Sequence, residues 1–157
     1  MSTASELANL IERSITGPMW HGSSLNELLD GVTYEQAAAR PIAGAHTIWE
    51  LVLHITAWAD IACDRLDKKS LGSQPNEVDW PPTPAPTEIA WTQARARLTA
   101  SHQALAREAA KLTSDDLRAI VPVEGPQYPV WTLLHGVVEH GTYHGGQIAL
   151  LKRALGA

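Results

Sequence analysis

Apolar residues recur at helical spacing over four long stretches of the chain, and polar, glycine-rich or proline-rich segments separate them. Leu7, Leu10, Ile11 and Ile15 predict a first helix over residues 3–15, ended by Gly17-Pro18. "SSLNELLDG" and "TYEQAAARP" read as brief helices, the second with a Thr33/Gln36 capping-box pattern, and neither has the length of a bundle helix. Ile48, Leu51, Val52, Ile55, Ala59, Ala62 and Leu66 form the stripe of a second long helix over 47–69, with Thr47 as N-cap and Glu50 as its reciprocal partner. "SLGSQPNEVDWPPTPAPT" then breaks the periodicity. Its prolines predict an extended, helix-free crossover, long enough to leave the orientation of the flanking helices open.

A third long helix is expected over 88–112, with Trp91, Ala94, Leu98, Leu105 and Leu112 facing inward and Ser101 as the small polar exception. "TSDDL" repeats the cap chemistry, "VPVEGPQYP" is a turn-rich link in which "AIVPV" contributes at most a short extended piece, and the last helix is expected over 130–155. The fold class that follows is an all-α four-helix bundle with long crossover connections, in one domain over 1–157.

Polar groups then fall where the pattern calls for apolar ones. At about 100° per residue, Leu133, Leu134, Val137, Gly141, Ile148, Leu151 and Leu155 share one face of the last helix, and His144 falls near its middle. His140 and Gln147 lie along one edge, while His135, Glu139 and Tyr143 project to the other half. Two imidazoles and a carboxamide are costly to bury without partners. A satisfied core histidine beside a boundary one accounts for the pair, but residues four apart on a helix also converge on one ion. Gly141 and Gly145 clear space nearby, for a close neighbour or for a ligand.

A tetrahedral ion needs a third ligand. On the second helix His54 lies at the border of the stripe, with Trp58 one turn later and Glu50 one turn earlier. Glu50 as fourth ligand or base competes with its capping role, which is the preferred reading. Trp58 reads first as packing, and lining a substrate pocket is its functional alternative. Trp58 and Gln147 are the candidate substrate-binding residues. "HGTYH" lacks the glutamate of the H-E-x-x-H proteases, so a glutamate base on that helix is disfavoured. His21, His46, His102 and His135 are not expected to be ligands.

Charge and cysteine content narrow the setting. A formal net charge of -5 and twelve scattered Lys and Arg argue against nucleic acid as a partner. Cys63 is the only cysteine and reads as a small core residue, compatible with a reducing cytosol. No apolar run reaches spanning length and "MSTASELANLIERS" lacks the marks of a signal peptide, so a soluble cytoplasmic protein with no membrane partner is expected.

"ARPIAGAHTIWELVLHITAW" and "WTLLHGVVEHGTYHGGQIALLKR" resemble the two signature helices of the DinB/YfiT-like family of metalloenzymes, and "DWPP" and "AWTQARARL" match its layout. The family is unrelated in fold to the DNA polymerase of that name. The resemblance spans nearly the whole chain and implies a three-histidine metal site at His54, His140 and His144, a four-helix bundle and frequent homodimers. It also implies zinc, nickel or a similar divalent ion. Gly141 and Thr142 depart from relatives that carry an acidic or other residue there.

Some members of that family resemble thiol-dependent transferases and isomerases using low-molecular-weight thiols such as bacillithiol or mycothiol, and others are called hydrolases. The first expectation is therefore a metal-dependent thiol S-transferase acting on a small molecule. Three imidazoles leave a coordination position open for a thiol, with the electrophile held over Trp58 or under the Trp20 and Trp80 loops. The alternatives are a hydrolase using metal-activated water, for which no general acid or base is assigned, and a non-catalytic metal-binding stress-response or dimerisation module.

Overall fold

The computed structural model describes residues 2–69 and 72–156. Along the chain it contains α1 (Thr3–Thr16), α2 (Leu25–Leu29), α3 (Tyr34–Ala38), α4 (Ile48–Leu66), α5 (Asn76–Asp79), α6 (Glu88–Ala109), α7 (Ser114–Arg118), strands β1 (Ile120–Val121) and β2 (Tyr128–Pro129), and α8 (Val130–Leu155). The fold is all-α, with α1, α4, α6 and α8 as the long helices.

Side-chain caps start most of these helices where the sequence places them. Thr47 accepts from the Glu50 amide while Glu50 accepts from the Thr47 amide, and Thr33 with Gln36 makes the same box at α3. Each box satisfies two amides that a helix start otherwise leaves open. Helix ends are shorter than the apolar pattern suggests. α4 stops at Leu66 rather than 69 because Lys68 turns left-handed, at φ 59°. α6 stops at Ala109 rather than 112, where the Lys111 and Leu112 amides bond three residues back and tighten the last turn.

One local expectation is corrected, and the short extended piece expected in "AIVPV" finds a partner. The proline-rich crossover holds a one-turn helix, α5, because Pro75 sits before its first residue and "NEVD" itself contains no proline. The turn-rich link closes into an antiparallel pair, with Ile120 opposite Pro129 and Val121 opposite Tyr128.

The long helices pack in a closed circuit: α1 on α6, α6 on α4, α4 on α8, and α8 on α1. The long connections α1→α4 and α6→α8 therefore cross the bundle, whereas α4→α6 joins neighbours. Around one end, Trp49 and Trp91 meet with ring centres 5.2 Å apart, and the Trp91 indole N–H donates to the Val32 carbonyl. Around the other, Ile11, Leu105, Leu134 and Val137 close the core. The glycines of α8 serve packing: a Cβ on Gly141 would stand 3.5 Å from Leu25, and one on Gly145 3.2 Å from Leu28. Those leucines belong to α2, so the missing side chains admit a neighbouring helix.

Candidate metal centre

His54 comes from α4 and His140 and His144 from α8, so the site spans the contact between those two helices. His54 and His144 are buried and His140 is half-buried. The His140 Nε2 lies 3.0 Å from the Nε2 of His54 and 3.0 Å from that of His144. Ligand nitrogens on a tetrahedral ion with bonds of about 2.0–2.1 Å stand roughly 3.3 Å apart, so these spacings are close to those of a metal site.

The far side of two of the rings decides what their near side offers, whereas the buried Nδ1 of His140 has no hydrogen-bond partner among the described residues. His54 Nδ1–H donates to the Asp79 carbonyl at 2.6 Å, with the Asp79 carboxylate 3.3 Å away. His144 Nδ1–H donates to the Gln147 Oε1 at 2.7 Å. With Nδ1 protonated on both rings, both Nε2 atoms present lone pairs, and a single proton on the His140 Nε2 answers only one of them squarely. A cation answers all three. Backing of the outer nitrogen by a carbonyl or carboxylate is the usual setting of a ligating histidine.

The electrostatics agree with neutral, ligand-competent imidazoles. Burial pushes His140 down to about 3, helped by the two neighbouring imidazoles. Burial also lowers His54 and His144, against the pull of Asp79 and Gln147 respectively. Among the described residues, these three form the one group of His, Cys, Asp or Glu side chains with the convergence a metal ion needs.

The other sequence candidates resolve as follows. Trp58 lies beside His140, ring centres 5.9 Å apart, and its indole N–H donates to the Asp79 carboxylate. Gln147 holds His144 and does not line the cleft described below. Glu50 stays in its capping box, paired with Arg40 and 3.3 Å from His46. His102 is buried in α6 with Nδ1 on the Leu98 carbonyl; His135 pairs outward with Glu139, and Tyr143 is exposed.

Sequence reasoning gave Asp79 no role and Trp80 only a covering one. Asp79 holds both His54 and Trp58, and Trp80 stacks on His54 with ring centres 3.8 Å apart and planes within 2°. The same indole stacks with His46 at 3.7 Å. The signal was the proline-free "NEVDW" inside the crossover, able to form one turn and present both side chains.

Beside the histidines opens a cleft of about 400 Å³, lined by His54, Trp58, Arg65, Tyr128, Thr132, Leu133, Gly136, Val137 and His140. Carbon dominates this surface, and its polar groups include His54 and His140 at one end and Arg65, Tyr128 and Thr132 elsewhere. An apolar cleft next to convergent polar groups is the usual form of a small-molecule site.

No match is found among curated proteins. The family model of the DinB superfamily matches residues 20–148, a span that holds the three histidines, the Asp79-Trp80 corner and the whole cleft. The chain belongs to the DinB superfamily.

Proposed function

We propose that the protein is a divalent-metal-dependent enzyme in which His54, His140 and His144 hold the ion, zinc or nickel, and that it transfers a low-molecular-weight thiol to a small electrophile. The observation that carries this reading is the convergence of three imidazole Nε2 atoms beside an apolar cleft. Three protein ligands leave a position for a reactant, as at catalytic rather than structural zinc. A divalent ion there supplies the positive charge that keeps a thiol ionised at neutral pH.

The chain's own residues do the rest. Asp79 and Gln147 fix the His54 and His144 rings, and Trp58 with Leu133 and Val137 shields the reacting end from water. The thiol must come from outside, because Cys63 is pushed up to about 11, chiefly by burial, and does not line the cleft.

Hydrolysis is the second reading. It needs a base, and the nearest carboxylate, Asp79, already accepts from Trp58 and faces the back of His54. Thiol transfer needs no such group, which favours it. A non-catalytic module has no use for the cleft. A homodimer is part of the proposal, tested by light scattering.

The experiment is metal analysis of the purified chain together with a panel of small thiols offered against a chloro-dinitrobenzene electrophile. Metal-dependent conjugation is the expected result. Ester or amide cleavage without thiol moves the assignment to hydrolysis, and metal binding with neither activity leaves the non-catalytic module.

A further inference from the structure

The cleft has a second polar end that the metal centre does not use. On α4, His54, Trp58 and Arg65 fall within about 40° of one another around the axis, so they line one face. Their order along that face is histidine, indole, guanidinium. At 1.5 Å rise per residue, the Arg65 backbone stands roughly 16 Å beyond that of His54. The guanidinium carbon lies over the Trp58 ring at 5.4 Å from its centre, and Nη1 donates to the Tyr128 hydroxyl at 2.6 Å. Leu133, Gly136 and Val137 of α8 form the wall between the two ends.

Resting on the reading of the histidines as a metal centre, we infer that Arg65 and Tyr128 form an anion subsite, and that the substrate is an apolar small molecule carrying a carboxylate at the end away from its reacting group. A guanidinium is planar and matches a carboxylate with two parallel hydrogen bonds. Tyr128 accepts from Arg65, which leaves its own hydroxyl proton to donate to the same anion. The contact with Trp58 and the hydrogen bond to Tyr128 hold the guanidinium in place before anything binds, so little side-chain freedom is lost on binding. Arg65 in the last turn of α4 also suits the helix dipole, but that role does not need a tyrosine hydroxyl 63 residues away in sequence or a place in the cleft wall.

The test titrates the metal-loaded chain with 4-phenylbutanoate and with its neutral counterpart 4-phenylbutanamide, following Trp fluorescence and calorimetry. The expected result is a preference of about tenfold or more for the carboxylate, which Arg65→Met abolishes while amide binding stays within about twofold. Tyr128→Phe, which removes only a hydroxyl, is expected to weaken the carboxylate by a few-fold and to spare the amide. Equal binding of the two probes to the wild type, or a preference that survives Arg65→Met, overturns the subsite; the latter is what a carboxylate held by the metal itself would give. Metal content, measured on the same samples, is expected to be equal in wild type and Arg65→Met. A wild-type chain that takes up no metal yet keeps the Arg65-dependent preference removes the metal centre and leaves the subsite standing.

Discussion

Alanine at His54, His140 or His144 removes one of three convergent Nε2 atoms, and each variant is expected to lose metal on dialysis under conditions where the wild type keeps it, as read by elemental analysis. Gln147→Leu tests a subtler term. It leaves the His144 Nδ1–H without its acceptor, and metal affinity should fall about 10–100-fold in a chelator competition, with the three ligands still in place. His102 behaves differently from the trio. Burial pushes it down to about 4 from an ordinary value of 6.5, so the folded chain carries it neutral where the unfolded chain binds a proton. Stability is therefore lost as pH falls from about 6.5 towards 4, by up to ~3 kcal/mol. Urea unfolding at pH 7 and pH 5 should show His102→Leu losing less stability over that interval than the wild type. The three histidines were legible to different degrees: His144 stood in the middle of a face whose period demanded apolar side chains, whereas His140 and His54 stood at the borders of theirs. Asp79 was not legible, since its decisive group is a backbone carbonyl, which every residue has.

At the scale of elements, α8 joins two requirements that pull against each other. It must be a long helix to carry His140 and His144 on one face, yet it contains "HGTYHGG", whose glycines weaken it. Gly141 and Gly145 have a packing reason in Leu25 and Leu28 of α2, but Gly146 is exposed, and nothing lies within 4 Å of a Cβ built on it. Gly146→Ala is accordingly expected to stabilise the fold by about 0.5–1 kcal/mol in urea unfolding, and to leave metal content unchanged. Thr47→Ala acts on the other ligand-bearing helix. It removes the acceptor of the Glu50 amide at the start of α4 and should destabilise by ~1 kcal/mol. The long helices and their caps were readable because periodicity and capping are local. The one-turn α5 and the partner strand Tyr128–Pro129 were not, because pieces this short carry too little pattern to identify and are held by their surroundings.

For the whole molecule, the proposed ion would tie together two helices whose ligands stand 86 residues apart in sequence. A ligand that binds only the folded chain stabilises it, by about 2.7 kcal/mol at a free concentration one hundred times its dissociation constant. Removing metal with a chelator should thus lower the thermal midpoint of the wild type and leave that of His54→Ala unmoved, in calorimetric scans of both. The sequence by itself determined the all-α class and the four long helices and singled out the three histidines as candidates, since helical period and the cost of burying an imidazole are properties of single helices. Only the tertiary structure decided that α4 lies against α8, that the Asp79-Trp80 turn folds back over His54, and that Arg65 and Tyr128 share the cleft with the histidines. Those arrangements depend on which faces meet after long connections cross the bundle, and no local period records that.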